Sequence, residues 1–181
     1  TFYFDDIRLT KTLPVAPTQI NLPVSFDNAA VNYTVSDFGN NSTADAADPV
    51  NSTNNVKKTT KPNGAETWAG TTIGTPDGFS SAIPIKAGST KMSIKVYSPA
   101  AGIPVRLKIE DHRDNTKSVE TQVLTTVANG WETLVFDFTN QATGTAALNL
   151  AYTFTKASIF FDFGNTGSGK VFYWDDVQMV A

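Results

Sequence analysis

The chain has 181 residues, of which 40% are hydrophobic and 17% are charged, and its formal net charge is -3. This length is typical of a single domain with a sizeable core. The acidic balance disfavours nucleic acid, whose binding needs a concentrated cationic face, and no apolar run is long enough to insert into a membrane. Cysteine is absent, so disulfides and thiol chemistry are excluded and stability must come from packing or a metal.

The first segment of the chain recurs at the other end of the sequence. Phe2-Tyr3-Phe4-Asp5-Asp6-Ile7 corresponds to Phe172-Tyr173-Trp174-Asp175-Asp176-Val177. The period is too long for a solenoid repeat, so it indicates a whole domain duplicated in a longer parent chain. We therefore expect residues 1–10 to be the terminal strand of a preceding homologous module, residues 11–22 to be a Pro-rich linker, and residues 20–181 to form the folded module.

After the linker, apolar residues recur at every second position, which predicts strands rather than helices. Shorter strands are predicted at residues 23–26, 31–38, 56–60, 67–73 and 82–85. Longer strands are predicted at residues 92–97, 105–110, 119–123, 134–138, 159–163 and 171–180. Residues 40–55 and 139–147 are small and polar and are predicted loops. The sequence therefore predicts an all-β fold, a β-sandwich or jelly roll of the galactose-binding-like type.

The sequence offers little for catalysis. His112 is the single histidine and the one base that a hydrolytic triad has available, and it is expected on the solvent face at a strand end. Asp175 and Asp176 are neighbours on one strand and are expected on opposite faces, so they cannot act as a glycosidase pair. We expect the protein not to be an enzyme.

The strongest metal signal is Asp175. It has the strand parity of Val177 and Met179, so we expect it to point inward, where an uncompensated carboxylate is costly. Calcium takes six to eight oxygen ligands and would pin the first and last strands of the module together. The predicted ligands of a structural Ca²⁺ are Asp27, Asn51, Asn54 and Asp175. The alternatives are a basic partner for Asp175, or a role in which it caps a turn or accepts hydrogen bonds from backbone amides.

Three sequence elements resemble those of a known family of modules. They are Ser25-Phe26-Asp27, Gly130-Trp131-Glu132 with the following Phe136-Asp137-Phe138, and Tyr173-Trp174-Asp175-Asp176-Val177. Their order and spacing are similar to those of the calcium-containing jelly-roll carbohydrate-binding modules attached to xylanases, laminarinases and other polysaccharide-degrading enzymes. The resemblance implies a non-catalytic, sugar-binding β-sandwich with a structural calcium ion. The first element differs, since that family usually has Glu where this chain has Asp27.

A sugar site needs an exposed aromatic ring beside planar polar side chains. Trp68 lies among small polar residues and is expected to be open to solvent. The outward residues of the strands at 105–110 and 119–123 supply donors and acceptors. The predicted groove consists of Trp68, Tyr97, Arg106, Glu110, His112, Glu120 and Gln122. The alternative is an ordinary solvated sheet face with cross-strand ion pairs.

The remaining large aromatic residues are assigned by strand parity. The predicted core residues are Trp131, Phe136, Phe138, Phe161 and Phe163. Trp174 has outward parity and is predicted to be a second platform or to pack under a neighbouring module.

The sequence thus predicts a binding module of a secreted or cell-surface bacterial protein. Its predicted partners are a polysaccharide or oligosaccharide and neighbouring homologous modules, and it would target a larger multimodular protein to a neutral plant or algal polysaccharide. A laminarin-like β-1,3-glucan is the expected ligand, because the resemblance is strongest to modules beside enzymes of that substrate class. The alternative is a ligand-free structural or adhesive spacer, which burial of both Trp68 and Trp174 would favour.

Overall fold

The structure is a computed structural model that describes residues 1–5 and 15–180. This part of the chain contains twelve strands. They are β1 (Thr18–Gln19), β2 (Val31–Asn32), β3 (Ser36–Phe38), β4 (Ser42–Ala47), β5 (Asn55–Lys61), β6 (Gly70–Thr72), β7 (Lys91–Ser98), β8 (Pro104–Asp111), β9 (Asp114–Leu124), β10 (Gly130–Asp137), β11 (Lys156–Phe161) and β12 (Lys170–Met179).

Ten of these strands form two five-stranded antiparallel sheets that stack on each other. Sheet I has the order β10-β7-β12-β5-β4, and sheet II has the order β3-β6-β11-β8-β9. The two-residue strands β1 and β2 pair in parallel beside them. The predicted all-β sandwich of the jelly-roll type is therefore confirmed.

The core lies between the sheets and is built from alternate residues of each strand. Ile94 of β7, Leu107 of β8 and Phe136 of β10 are all completely buried. Phe161 and Phe172 join the two sheets by stacking, with ring centroids 4.6 Å apart. Burial of a side chain of this size contributes about 1.5–3 kcal/mol, so the period-two pattern directly stabilises the fold.

The predicted strand at 31–38 is divided into β2, which pairs with β1, and β3, which pairs with β6. Three further predicted elements also differ from the observed ones. β4 lies inside the predicted loop at 40–55, because an edge strand with both faces largely exposed needs no apolar alternation. Residues 82–85 form no strand and are held by a hydrogen bond from the Ile83 amide to the Phe154 carbonyl. The predicted strand at 23–26 is reduced to one bridge between Val24 and Val177.

The last strand changes face at Asp176, whose φ is 50°. The pairing of β12 with β7 shifts between Asp175 and Gln178, which marks a β-bulge. Because the bulge adds one residue, Trp174 and Val177 both point into the core and both are fully buried. The prediction that Trp174 faces outward is therefore wrong. The prediction that Asp175 points inward is also wrong, because it shares the outer side of sheet I with Tyr173 and is covered there by the loop that carries Asn54.

Only part of the N-terminal segment is described. Residues 1–5 form no strand, and Phe2, Tyr3 and Phe4 are exposed. The rest of the predicted strand at 1–10, and residues 11–14 of the predicted linker, lie outside the described residues. β1 falls within the predicted linker range of 11–22, and Ile20 is buried in the core, so packing of the module begins by Thr18.

Candidate functional site

The outward side chains of sheet II line an open cleft of about 550 Å³. Aromatic residues occupy one part of the cleft, and charged residues occupy the rest. The lining residues are Phe38, Trp68, Thr72, Arg106, Lys108, Glu110, Glu120, Thr145, Lys156, Ser158, Phe160 and Phe163. We refer to this cleft as the groove.

Strand register places the groove side chains in rows across the sheet. Arg106 of β8 lies opposite Phe160 of β11 on one side and opposite Gln122 of β9 on the other. One row along, Lys108 lies between Ser158 and Glu120. Since residues two apart on a strand face the same side, these rows stand side by side on the outer face.

The aromatic part of the groove is centred on Trp68, whose side chain is 50% exposed. Its ring stacks on Phe38, with centroids 6.3 Å apart and planes 14° from parallel. Phe38 in turn meets Phe160 edge to face. A Cβ at Gly70 would lie 2.7 Å from the Phe160 ring and 2.8 Å from the Phe38 ring, so glycine is required there. One face of Trp68 is thus supported, and half of its surface is left to solvent.

Arg106 is fixed at the centre of the groove by three partners. Its guanidinium lies 3.6 Å from the centroid of the Phe163 ring, a cation–π contact. Nη1 donates to Glu120 at 2.9 Å, and Nε donates to Gln122 at 3.2 Å. The side chain is therefore held in one orientation, with the planar donors that suit recognition of hydroxyl oxygens.

Glu110 is the buried acceptor of the groove, with 5% of its surface exposed. Lys108 Nζ lies 2.6 Å from Oε2, and Lys156 Nζ lies 2.7 Å from Oε1. Burial raises the pKa of Glu110, but the close contacts with the two ammonium groups outweigh burial and hold the pKa below its ordinary value. Although Oε2 is in ionic contact with Lys108, it has no well-aligned hydrogen-bond donor among the described residues. The carboxylate is therefore ionised at neutral pH and holds the two ammonium groups of the groove in place.

Five predicted groove residues come together on this face, and two do not. The five are Trp68, Arg106, Glu110 and Glu120 within the groove and Gln122 at its rim. Tyr97 belongs to β7 of sheet I, on the opposite side of the sandwich, so its predicted place in the groove is wrong. His112 lies in the turn after β8, where a register shift removes it from the outward row, and its Nδ1 is 2.8 Å from Thr155 Oγ1.

Sequence reasoning missed part of the groove. Phe163 was predicted to be core, but the chain turns at Asp162, whose φ is 52°, and this turn brings Phe163 to the surface beside Arg106. Phe160 was missed because it lies in the run Ile159-Phe160-Phe161. In this run every residue is apolar, so the sequence does not show which one points outward. Lys156 was missed because its partner Glu110, although on the neighbouring strand of the sheet, is far away in the sequence.

A second, smaller cavity of about 160 Å³ lies on the sheet I side and contains the predicted metal residue Asp175. Its lining residues are Asp48, Asn54, Lys95, Trp131 and Asp175. Asn54 Nδ2 donates to Asp175 Oδ2 at 3.1 Å and to Asp48 Oδ2 at 3.3 Å. Trp131 lies at this surface and donates from Nε1 to Asp48 at 2.9 Å, so its predicted core position is wrong.

Asp175 is buried, with 4% of its surface exposed, and the carboxylates of Asp176 and Asp27 add negative charge near it. Burial, together with the charges of Asp176 and Asp27, raises the pKa of Asp175 to about 6. Asn54 contacts Asp175 directly, whereas Asp27 is exposed and accepts from Asn55 at 3.2 Å. Asn51 is exposed in the loop before β5. Within residues 1–5 and 15–180, no three His, Cys, Asp or Glu side chains converge as a metal cluster.

Solved structures with the same fold include carbohydrate-binding modules. A family 11 carbohydrate-binding module from Clostridium thermocellum, in complex with a β-1,3-1,4-mixed-linked tetrasaccharide, superposes with a TM-score of 0.57 at 12% identity, over 88% of this chain and 95% of the other. The family 11 module of a cellulosomal cellulase of the same organism gives a TM-score of 0.55 at 14% identity, over 92% and 96%.

A third structure pairs such a module with a catalytic one. It contains the CBM22-1 and GH10 modules of a Clostridium thermocellum endo-1,4-β-D-xylanase complexed with xylohexaose. The TM-score is 0.53 at 13% identity, over 88% of this chain and 28% of the other.

The other comparisons found nothing. No family model matches the chain, and no curated protein matches its sequence. In the described part of the chain, no helix has the length and hydropathy needed to cross a membrane. At identities of 12–14%, the structural likeness establishes the fold, a two-sheet β-sandwich that it shares with carbohydrate-binding modules.

Proposed function

We propose that the groove of sheet II binds a polysaccharide or oligosaccharide chain and that the protein is a non-catalytic carbohydrate-binding module. The observation that carries this proposal is the half-exposed Trp68 ring, supported from behind by Phe38 and placed beside the fixed donors and acceptors of Arg106, Glu110 and Glu120. The apolar C–H face of a sugar packs on an aromatic ring, while its hydroxyls pair with charged and planar polar groups.

The groove is already ordered before any ligand binds, which reduces the entropy lost on association. Arg106 and Glu110 are held by ion pairs and stacking rather than extended into solvent. A spacer without a ligand would have no need for an open tryptophan next to such a cluster. The half exposure of Trp68 therefore favours the binding role over the spacer role.

The proposed ligand class is a neutral plant or algal β-glucan of the laminarin type, with β-1,3 linkages. One structural neighbour was solved with a β-1,3-1,4-mixed-linked tetrasaccharide, which supports testing this class first. The sequence resemblance to modules beside laminarinases points to the same class. We further propose that the module belongs to a secreted or cell-surface bacterial protein, beside homologous modules, and directs that protein to its polysaccharide.

The proposal is tested by titrating laminarin oligosaccharides and mixed-linkage β-glucan tetrasaccharide into the protein by calorimetry, with xylohexaose as a comparison ligand. Binding of a β-glucan that is lost in Trp68→Ala, with an unchanged melting temperature, is the expected result. If a panel of neutral polysaccharides gives no heat and no change in tryptophan fluorescence, the proposed function is wrong.

We also propose that the cavity around Asp175 holds a structural Ca²⁺. Asp175, Asp48 and the amide oxygen of Asn54, once its amide group is turned over, supply hard oxygen ligands. Asp27 adds negative charge nearby, and Lys95 lies in the same cavity. These side chains offer the oxygen atoms that calcium prefers, but they are fewer than the six to eight ligands that it takes. Backbone carbonyls, Asn51 and water would have to supply the remaining ligands. The ion would neutralise the buried carboxylate and fix the loop before β5.

Calcium binding is tested by melting the protein with added CaCl₂ and with chelator. A ligand that binds only the native state stabilises it by RT ln(1 + [L]/Kd), about 4 kcal/mol at a thousandfold excess over Kd. We expect chelation to lower the melting temperature of the wild type by many degrees and to leave Asp175→Ala unaffected. An identical melting curve with calcium and with chelator contradicts the calcium site.

A further inference from the structure

Lys61 is a fully buried lysine, with 1% of its surface exposed, and the groove does not use it directly. It lies at the end of β5 and points between the sheets. Its ammonium group donates to three backbone carbonyls: Asp162 at 2.9 Å, Thr67 at 3.3 Å and Phe161 at 3.4 Å. A buried charge is costly unless it is hydrogen-bonded, so these three carbonyls are what makes lysine tolerable at this position.

The acceptor carbonyls belong to the two loops that present aromatic rings to the groove. The Thr67 carbonyl is bonded directly to the nitrogen of Trp68, and the Asp162 carbonyl to the nitrogen of Phe163. Each hydrogen bond from Lys61 therefore orients the peptide group from which one groove ring projects. Phe163 supports the Arg106 guanidinium, so a shift of that loop is transmitted to the charged part of the groove.

The two loops are also joined directly to each other. Gly164 N–H donates to the Thr67 carbonyl at 2.9 Å, and Gly167 N–H donates to the Ala65 carbonyl at 2.8 Å. A Cβ at Gly167 would lie 1.9 Å from the Pro62 carbonyl oxygen, so the loops approach as closely as backbone allows. The Lys61 ammonium lies at this junction and donates hydrogen bonds to carbonyls of both loops, those of Thr67 and Asp162.

We propose that Lys61 is a positioning residue of the groove, whose buried ammonium locks the 67–68 and 162–163 peptide groups and thereby sets the spacing of Trp68 and Phe163. The Asp162 carboxylate accepts hydrogen bonds from Lys170 at 2.6 Å and from Asn165 at 2.8 Å. The hydrogen bonds of Lys61 go to main-chain carbonyls instead. Burial lowers the pKa of Lys61, and the negative charge of Asp162 opposes this shift without cancelling it.

The test exploits the absence of cysteine from the natural chain. Lys61→Cys is alkylated in denaturant with 2-bromoethylamine, which restores an ammonium group on a side chain of lysine length, or with 1-bromopropane, which ends the same chain in a methyl group. The two refolded proteins differ in that one group. Amide hydrogen exchange is measured at Gly164, which reports the loop junction, and at Ile73, whose bond to the Ala157 carbonyl is a control in sheet II.

In the propyl form we expect exchange at Gly164 to be about tenfold faster with Ile73 unchanged, the scale of one lost charged hydrogen bond. The aminoethyl form should match the wild type within about twofold. Equal exchange at Gly164 in the two forms, or equal acceleration at Gly164 and Ile73, overturns the proposal. If the propyl form does not refold, Lys61→Gln replaces it and the same outcomes decide.

A second measurement rests on the proposed function and is kept separate. With mixed-linkage β-glucan tetrasaccharide as the probe, the propyl form should bind about tenfold more weakly than the aminoethyl form. If no form binds this probe or laminarin oligosaccharides, the proposed function fails while the exchange result still decides the role of Lys61. Binding equal in the two forms, with Gly164 exchange altered, overturns the link between the ammonium and the groove.

Discussion

The two outer faces of the sandwich both carry rows of aromatic and charged side chains, but among the described residues of these faces a half-exposed ring occurs only on sheet II, at Trp68. On sheet I, strand register sets Trp131, Tyr97 and Tyr173 side by side across three strands. Tyr97 meets each neighbour edge to face, at 74° and 89°. On sheet II, Trp68 lies nearly parallel to Phe38 and keeps half of its surface open.

The two faces therefore differ in the orientation of their rings rather than in the number of aromatic residues, and the proposed sugar platform depends on this orientation. In the sheet I row, each ring edge covers a neighbouring ring face, and Asp48 takes the indole N–H of Trp131. Those rings make edge-to-face contacts with one another and stabilise the sheet. In the groove, the stacked pair leaves a flat apolar face toward solvent beside ionic groups that are already oriented.

The largest expected difference is between Trp68→Ala and Tyr97→Ala. We expect Trp68→Ala to weaken β-glucan binding about a hundredfold, close to 2.8 kcal/mol, because the ring supplies the central contact. Tyr97→Ala should change affinity by less than about twofold, since Tyr97 is on the other sheet. Calorimetric titration of both variants measures this, and equal losses would contradict the assignment of the groove to sheet II.

The ion pairs of the two faces should also differ. Glu110→Ala leaves the Lys108 and Lys156 ammonium groups facing each other, and we expect the free energy of unfolding to fall by about 2 kcal/mol. On sheet I, Lys95 pairs with Asp176 at 2.7 Å with both side chains well exposed, so Lys95→Met should cost less than about 1 kcal/mol. Urea denaturation compares the two, and a larger loss for Lys95→Met would reverse the comparison.

The Glu110 pair predicts a pH dependence specific to the groove face. The folded-state pKa of Glu110 lies below the ordinary value of 4.5, so its ionised form stabilises the fold above pH 4.5 and this stabilisation is lost as pH falls through the folded-state pKa. The stability difference between wild type and Glu110→Gln should therefore be full at pH 7 and shrink below pH 4.5. Denaturation at a series of pH values measures it, and a difference that grows on acidification has the wrong sign.

The smallest effect is expected at Trp131. Trp131→Phe keeps an aromatic ring against Tyr97 and removes the hydrogen bond to Asp48, so stability should fall by about 1 kcal/mol or less. Glycan affinity should not change. Thermal melting and titration of the same sample test both statements, and a clear loss of affinity would indicate a sugar site on sheet I.

The sequence predicted one side of the groove better than the other. Arg106 and Glu110 alternate with buried Leu107 and Ile109, so strand parity alone placed them outward. Trp68 was recognised as exposed because its neighbours are small and polar. The exposure of Phe163 was not predicted, because it depends on the turn at Asp162, whose φ is positive. A period-two pattern carries no signal for such a turn.

Alternation along the chain determined by itself that this protein is built from half-buried β-strands, since a residue's face on its own strand follows from period two. Only the tertiary structure decided which strands share a sheet, and hence that Tyr97 lies across the sandwich from Arg106. It also decided the bulge at Asp176, where one extra residue reverses the parity of β12 and buries Trp174. The physical reason is that strand pairing and register are long-range hydrogen-bonding choices, whereas parity is local.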